Sequence, residues 1–267
     1  MARPLPVWAD GSAYEPYVGR WSRPVAQQFL AWLRVADGAA WLDVGCGTGA
    51  LSQAVLTGAD PSALIGVDPS VGFVAYARAQ LADRRARFLV ADARRLPVVD
   101  HRFDAVASGL VLNFVPDPAQ AVREMVRAAR PGGRVAAYVW DYAGKMELMR
   151  RFWDAAAALD PAAAQLDEGR QFGICQPEPL AGLFRGAGLV DVGVRPIEVP
   201  TRFVDFDDYW TPFLGGQGPA PGYVRSLETA DRALLREEVR GRLPVAADGS
   251  ISLVARAWAV SGIPATS

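Results

Sequence analysis

The chain is poor in the residues that metal sites, disulfide frameworks and nucleic-acid surfaces require. Its 267 residues include one histidine and two cysteines, so we expect neither a zinc site nor a disulfide network. Cys46 and Cys175 suit a reducing cytosol. Lysine occurs once, at Lys145, and 28 basic residues face 29 acidic ones, for a formal net charge of −1. Nucleic-acid binding needs a basic excess, so we expect no nucleic-acid partner.

Long apolar runs are also missing. The longest, such as 105–115, are far shorter than the ~20 residues of a membrane span. The first eleven residues lack the charged and apolar regions of a secretory signal. We therefore expect a soluble cytoplasmic protein with no membrane span. A hydrophobic content of 51% allows a large core, and we expect residues 1–267 to form a single domain, as a monomer or a homodimer.

Short apolar segments alternate with helix-like segments through the first 150 residues. The apolar segments have the length of strands and are bounded by Gly, Pro or Asp; they cover 39–45, 63–68, 86–92, 103–109 and 133–140. The predicted helices cover 24–35, 49–57, 70–84 and 118–129. Apolar strands separated by helices are typical of a parallel sheet covered on both faces. The pattern predicts a doubly wound α/β fold for this part of the chain.

The second half of the chain follows a different pattern. Residues 144–159 and 177–188 are predicted to be helices, whereas 189–200 and 250–260 alternate like strands. An antiparallel pair formed by these two strands would complete a mostly parallel, seven-stranded sheet. The intervening residues 201–249 would then form a helical cap on the sheet.

A glycine-rich turn follows the first predicted strand and is the strongest local signal. Gly45, Gly47 and Gly49 alternate before a helix, where glycine permits positive φ and close contact between a ligand and the main chain. Such a ligand would lie at the carboxyl ends of the strands, beside a helix N-terminus. Asp43, two residues before the first glycine, can bind the loop or a cationic group of the ligand.

Two further acids close the next two strands. Asp68 ends the second strand, where a carboxylate can accept both hydroxyls of a ribose, and Asp92 ends the third, beside Ala93. A nicotinamide dinucleotide would want G-x-G-x-x-G/A, which Gly45, Gly47 and Ala50 match. Against it stand Asp43 before the glycines and the late antiparallel strand pair.

Five ordered motifs together resemble those of the class I S-adenosylmethionine-dependent methyltransferases. They are DVGCGTG at 43–49, VDPS at 67–70, ADA at 91–93, FDAV at 103–106 and RPGG at 130–133. The nearest match is the small-molecule branch that includes the quinone-biosynthesis methyltransferases. The resemblance covers 24–140 closely and 185–260 in architecture only. It implies S-adenosyl-L-methionine as cofactor and a small-molecule acceptor.

The resemblance also implies roles for particular residues. The glycines would wrap the methionine part of the cofactor, Asp43 would hold its amino end, and Asp68 would take the ribose hydroxyls. The remaining cofactor contacts implied are Pro69, Asp92, Ala93, Ser108, Gly109 and Leu110. Residues 1–23 would cover the cofactor, and Tyr14 and Arg20 are candidates there, Arg20 for the methionine carboxylate.

Catalysis would rest mainly on positioning, because the sulfonium is already activated and no protein nucleophile is needed. The candidate catalytic side chains are Asn113, Tyr17 and Tyr142. His101 lies in a turn before the fourth strand, away from the cofactor, and is not assigned. The predicted acceptor pocket comprises Trp140, Tyr142, Tyr209, Trp210 and Phe213, with residues 215–218 as a loop that closes over substrate.

Three functions remain open from the sequence. The first is a methyltransferase that transfers a methyl group to a small acceptor by in-line displacement. The second is an NAD(P)-dependent oxidoreductase on a Rossmann-like sheet. The third is a non-catalytic homologue that retains the cofactor pocket. Binding of S-adenosylhomocysteine or of NAD separates the first two.

Overall fold

A single mixed sheet organises the chain in a computed structural model that describes residues 19–215 and 218–265. The sheet has seven strands in the order β3-β2-β1-β4-β5-β7-β6. The strands are β1 (Ala40–Val44), β2 (Ala63–Asp68), β3 (Ala86–Val90), β4 (Phe103–Gly109), β5 (Ala129–Trp140), β6 (Leu189–Phe203) and β7 (Ile251–Pro264). The first five pair in parallel, and β7 pairs antiparallel with both β5 and β6. The predicted fold class is confirmed.

Helices connect the parallel strands except β3 and β4, which a loop joins, and further helices fill the segments before and after β6. They are α1 (Arg20–Leu33), α2 (Ala50–Gly58), α3 (Val71–Gln80), α4 (Pro118–Ala128), α5 (Glu147–Leu159), α6 (Glu168–Gln171), α7 (Pro177–Gly186), α8 (Phe206–Trp210), α9 (Pro219–Ser226) and α10 (Thr229–Arg242). Among the described residues, no helix combines the length and the apolar character needed to cross a membrane.

The amphipathic helix α1 illustrates how the sheet is covered. Val25, Phe29 and Leu33 are buried at helical spacing. The Phe29 ring lies 4.6 Å from the ring of Tyr138 on β5, measured between centroids. Helix α1 therefore packs its apolar side against the middle of the sheet.

The strand order places the point where the chain reverses its direction across the sheet between β1 and β4. The chain runs from β1 outwards to β3, and then returns to add β4 and β5 on the other side of β1. In open α/β sheets, ligands bind outside the carboxyl ends of the strands at this point. The glycine turn after β1 and the acids after β2 and β3 lie at this edge.

Several predicted boundaries differ from those observed, and one difference has a clear cause. Helix α5 begins at Glu147 rather than at residue 144, because the Asp141 carboxylate accepts the N–H groups of Gly144 and Lys145 at 3.0 and 2.9 Å. These bonds hold 141–146 as a turn. Helix α3 ends at Gln80, short of residue 84. Strand β6 extends to Phe203, so the connection to β7, here called the cap, covers 204–250.

Candidate active site

A cavity of about 410 Å³ opens at the carboxyl ends of the parallel strands. Its volume lies within the range of small-molecule sites. One half of its wall comes from the ends of β1, β2 and β3 and is called the cofactor wall. This half includes Asp43, Gly45, Cys46, Gly47, Asp68, Pro69, Asp92, Ala93 and Arg94. The other half, the acceptor wall, comes from the segments after β4 and β5 and from the cap; it contains Val111, Phe114, Val115, Pro116, Tyr138, Trp140, Tyr142, Met149, Glu168 and Pro219.

The glycine turn has the backbone that its sequence predicts. Gly45, Gly47 and Gly49 have φ values of +76°, +52° and +94°. A Cβ at Gly45 would lie 2.5 Å from Cγ1 of Val111, so this position has no room for a side chain. A Cβ at Gly47 would meet no atom within 4 Å, because Gly47 faces the cavity. Gly45 lets two chain segments approach each other, and Gly47 leaves space for a ligand.

Asp43 is a buried carboxylate with one oxygen bound and one without a partner. Its Oδ2 accepts the hydroxyl of Ser52 at 2.6 Å, whereas its Oδ1 is buried and has no hydrogen-bond partner among the described residues. Burial raises the pKa of Asp43 to about 7, and the hydrogen bond from Ser52 opposes this shift. The negative charge of Asp68 raises it further. A cationic group in the cavity would satisfy Oδ1 and favour the ionised carboxylate.

Asp68 joins the second strand to the glycine turn. Its Oδ2 accepts the N–H of Gly47 at 3.0 Å, and its Oδ1 accepts the N–H of Ser70 at 2.8 Å. Burial raises its pKa, and these two backbone bonds oppose the shift. Each carboxylate oxygen retains further acceptor capacity towards the cavity, which Asp68 lines.

Asp92 and Ala93 line the cavity, but the Asp92 carboxylate already has a partner. Its Oδ2 lies 2.6 Å from Nη2 of Arg94, and its side chain is half-exposed. The hydrogen bonds from Arg94 lower the pKa of Asp92. A ligand edge that binds this carboxylate therefore has to share it with Arg94.

The segment after β4 reaches the cavity through only some of the residues predicted there. Gly109 and Leu110 line the cavity, but Ser108 is fully buried outside the lining. Asn113 is also outside the lining, and its amide nitrogen and oxygen are buried with no hydrogen-bond partner among the described residues. The predicted contact of Ser108 and the catalytic role of Asn113 are therefore not supported, because neither side chain faces the cavity.

Arg20, the candidate for binding a ligand carboxylate, instead forms an ion pair with a residue of the cap. Its Nη1 lies 2.8 Å from Oδ1 of Asp208 in the cap, and its guanidinium covers the rings of Trp21 and Phe203 at 4.5 and 4.7 Å. It is outside the lining of the cavity. Arg20 thus links α1 to the cap. Tyr14 and Tyr17 lie outside the described residues, as does the centre of the predicted closing loop.

The cap aromatics are part of the core rather than of the cavity wall. Tyr209 is fully buried, and its hydroxyl donates to the carbonyl of Leu148 at 2.7 Å. Phe213 stacks on Phe152 with centroids 4.6 Å apart, and Trp210 is buried between Phe206 and Phe213. The prediction that Tyr209, Trp210 and Phe213 line the acceptor pocket is wrong, because Tyr209 and Phe213 pack on α5 and Trp210 packs against other cap aromatics. Trp140 and Tyr142 do line it.

Replacing Trp210 by alanine is therefore expected to act on stability alone. The loss of a large buried side chain costs about 3–5 kcal/mol of the free energy of unfolding. Binding of S-adenosylhomocysteine and acceptor turnover, each per folded molecule, should stay unchanged, because Trp210 does not line the cavity. Chemical denaturation, calorimetric titration and a turnover assay on one sample measure these quantities. A loss of turnover per folded molecule without a loss of stability would place Trp210 in the acceptor pocket.

The sequence does not identify Met149, Glu168 and Pro219 as part of the acceptor wall. Met149 and Pro219 belong to helices whose packing is set by distant segments. Glu168 lies in the polar run LDEGR, which resembles an exposed turn, yet its side chain is buried. Its Oε2 accepts the indole N–H of Trp153. Burial raises the pKa of Glu168 to about 7.

Neither Cys46 nor His101 is placed to act as a catalytic group at this site. Cys46 lines the cavity, but burial raises its pKa well above the ordinary value, which disfavours the reactive thiolate. His101 lies in the turn before β4, at the opposite end of that strand from the cavity, with Nδ1 3.2 Å from the carbonyl oxygen of Ala129. Within residues 19–215 and 218–265, no group of three or more His, Cys, Asp or Glu side chains has the arrangement of a metal site.

Comparison with known proteins connects this geometry to a family. Residues 42–137 match the family described as "Methyltransferase domain". The demethylmenaquinone methyltransferase of Roseiflexus sp. (strain RS-1) is 35% identical over 169 residues, which are 58% of this chain and 69% of that protein. The malonyl-[acyl-carrier protein] O-methyltransferase of Pseudescherichia vulneris is 34% identical over 134 residues, 50% of this chain and 51% of that protein.

The fold is shared with a solved structure. The crystal structure of the YcgJ protein from Bacillus subtilis superposes with a TM-score of 0.60 at 18% identity, covering 91% of this chain and 99% of that one. The antiparallel β7 between β5 and β6, the open glycine turn and the unpaired oxygen of Asp43 fit S-adenosylmethionine and do not favour a nicotinamide dinucleotide. The chain belongs to the class I S-adenosylmethionine-dependent methyltransferases that act on small molecules.

Proposed function

We propose that this methyltransferase acts on a planar, largely apolar aromatic acceptor that carries a hydroxyl group. The acceptor wall carries the proposal. Tyr138, Trp140, Tyr142 and Phe114 supply aromatic surface, and Met149 adds a thioether. Aromatic rings and methionine sulfur pack favourably against a flat aromatic ligand. The similarity to a demethylmenaquinone methyltransferase supports the same class of acceptor.

The charge of the acceptor wall argues against an acidic acceptor. Among its described residues, Glu168 carries the one formal charge, and that charge is negative when the group is ionised. A malonyl group bears a carboxylate, and bringing it beside Glu168 without a cation would be costly. An acceptor like that named for the Pseudescherichia relative is therefore disfavoured.

The residues of the cofactor wall would bind S-adenosylmethionine in the following way. Asp43 would accept its ammonium group on the unpaired Oδ1, the backbone at Gly47 would approach its methionine part, and Asp68 would accept the ribose hydroxyls. Pro69, Ala93 and Asp92 would contact the adenosine. The bound cofactor supplies an activated methyl group, so the protein has to align the acceptor in line with the bond to be broken and exclude water.

Asp68 is expected to contribute a large part of cofactor affinity. Asp68→Ala removes charge-assisted hydrogen bonds worth roughly 1.5–3 kcal/mol, so S-adenosylhomocysteine should bind about ten- to a hundredfold more weakly. Asp104→Ala is the matched control. Asp104 also accepts a backbone N–H, from Ala40 at 2.7 Å, but it lies at the opposite end of the parallel strands. Equal affinities of the folded Asp68 variant and the wild type, measured by calorimetry, would remove Asp68 from the site.

The acceptor class is tested by methyl transfer from labelled S-adenosylmethionine. The two probes are 1,4-dihydroxynaphthalene, kept reduced, and a malonyl thioester. We expect label in the naphthalene product and none in the thioester, because the wall is aromatic and its one charge is acidic. Transfer to the thioester with none to the naphthalene would overturn the proposed acceptor.

The proposed function assigns a role to each part of the chain. We propose that residues 1–267 act as one catalytic domain, with 24–140 as the cofactor-binding core and 1–23 as a cover. The cap reaches the cavity through Pro219. A cytoplasmic location is proposed as well, since Cys46 and Cys175 are both buried and free.

A further inference from the structure

The acceptor wall contains a buried acid that positioning alone does not explain. Glu168 is 2% exposed and lines the cavity beside Tyr142 and Met149. One of its oxygens, Oε2, accepts the indole N–H of Trp153. Burying a carboxyl group costs free energy unless the group is paired, and an apolar side chain would pack at this position without that cost. Its placement on the acceptor side therefore needs an explanation.

The turn that carries Glu168 is held rigidly. Arg150 binds both oxygens of the neighbouring Asp167, from Nη1 and Nη2 at 2.8 Å each. The same guanidinium donates to the carbonyl of Tyr142 at 3.1 Å. Gly169 lies so close to this backbone that a Cβ there would come within 2.9 Å of Cα of Ala143. A fixed backbone and an indole hydrogen bond hold a functional group in one orientation.

The sheet order places Glu168 over the correct half of the cavity. The cofactor wall is built by the ends of β1, β2 and β3, whereas the turn of Glu168 packs on the segment that follows β5: a Cβ at Gly169 would lie 2.9 Å from the carbonyl oxygen of Tyr142. Because β4 separates β1 from β5 and strands are about 4.8 Å apart, the acid lies on the side away from the adenosine contacts. An acceptor on this side would lie between Glu168 and the glycine turn.

We propose that Glu168 is the general base that binds the acceptor hydroxyl and takes its proton during methyl transfer. This inference rests on the proposed function. In the step, the acceptor O–H bond breaks and its proton passes to the Glu168 carboxylate. The acceptor oxygen forms a bond to the methyl carbon while the S–CH3 bond breaks, and that electron pair stays on sulfur. The products are the methyl ether, the neutral thioether and a protonated Glu168.

The charges around Glu168 suit this task. Burial is the main cause that raises its pKa, the adjacent Asp167 raises it further, and Arg150 and the Trp153 hydrogen bond lower it. The resulting value of about 7 lies near neutral pH, where a general base is most effective. Arg150 is itself neutralised by Asp167, and the phenols of Tyr138 and Tyr142 are the other titratable groups of the acceptor wall.

The first test needs no turnover. Protein saturated with S-adenosylhomocysteine is titrated with 2-naphthol and with 2-methoxynaphthalene, which has no proton to give. At pH 8 we expect the wild type to prefer 2-naphthol by about tenfold, the value of one charge-assisted hydrogen bond. The preference should shrink below about pH 7 as Glu168 becomes protonated. Glu168→Gln should lose both the preference and its pH dependence.

The second test measures catalysis with a matched control. Glu168→Gln should form the methyl ether of 1,4-dihydroxynaphthalene about 10²- to 10⁴-fold more slowly, as expected for loss of a general base. Its affinity for S-adenosylhomocysteine should be that of the wild type. The control Glu178→Gln changes a glutamate on the surface, paired with Arg185, and should alter neither quantity. Trp153→Phe removes a donor that lowers the pKa of Glu168, so the midpoint of the pH profile should move to higher pH.

The outcomes separate the two proposals. If the wild type and Glu168→Gln methylate the naphthalene at the same rate and with the same pH profile, Glu168 is not the general base. The proposed acceptor would then still stand. Equal affinity of the wild type for the naphthol and its methyl ether would also overturn the base. Wild-type protein that binds neither aromatic probe would overturn the proposed acceptor and the base together.

Discussion

Replacing Gly47 by valine is expected to abolish binding of S-adenosylhomocysteine. The residue has a φ of +52°, a conformation that costs an L-residue about 1–2 kcal/mol and that β-branched side chains rarely adopt. The added side chain would also project into the cavity, where a Cβ meets no protein atom within 4 Å. Together these effects should weaken binding at least about a hundredfold. Calorimetric titration measures the affinity.

Gly38→Val is the matched control for the strain. Gly38 has a φ of +76° in the turn before β1, and a Cβ there also meets nothing within 4 Å. It does not line the cavity. Both variants should lose comparable free energy of unfolding, but only Gly47→Val should lose the ligand. Retained binding in the Gly47 variant would show that the turn does not contact the cofactor.

Affinity for S-adenosylhomocysteine is expected to fall by up to tenfold for each pH unit below about 7. The pKa of Asp43 without ligand is about 7, because the carboxylate is buried. The ligand ammonium needs the ionised carboxylate, so binding is strongest above this pKa and weakens as falling pH protonates Asp43. Titrations between pH 5 and 8.5 give the profile.

Two variants assign this profile to Asp43. Asp43→Asn should bind about a hundredfold more weakly at pH 8, since it leaves a buried ammonium without its charge partner, and it should flatten the profile. Ser52→Ala removes a hydrogen bond that lowers the pKa of Asp43, so its midpoint should shift to higher pH. An unchanged profile in Asp43→Asn would assign the titration to another acid, of which Asp68 is the nearest.

The cofactor wall can be predicted from the sequence because each of its motifs lies at the end of a strand that the sequence itself indicates. Gly47 follows a buried strand directly, and Asp68 ends the next strand, so the parallel topology alone brings them together. The structure joins them by a hydrogen bond of 3.0 Å. Ser70 caps the N-terminus of α3 through an equally local contact, because its Oγ accepts the N–H of Phe73.

The acceptor half depends on contacts between distant segments. The helical spacing of Trp210 and Phe213 indicates an apolar face but does not say that it packs on Phe152 of α5. Arg20 finds its partner Asp208 at a separation of 188 residues, which no local pattern encodes. Glu168 looks solvated in sequence, and only the approach of α5 buries it against an indole.

Calorimetric titration with two ligands shows which cofactor the site binds. The wild-type protein is titrated with S-adenosylhomocysteine and, separately, with NAD at pH 8. We expect a single site for S-adenosylhomocysteine, lost in Gly47→Val and weakened in Asp68→Ala, and no heat of binding from NAD. Saturable binding of NAD together with no binding of S-adenosylhomocysteine would show that the cavity is not an S-adenosylmethionine site.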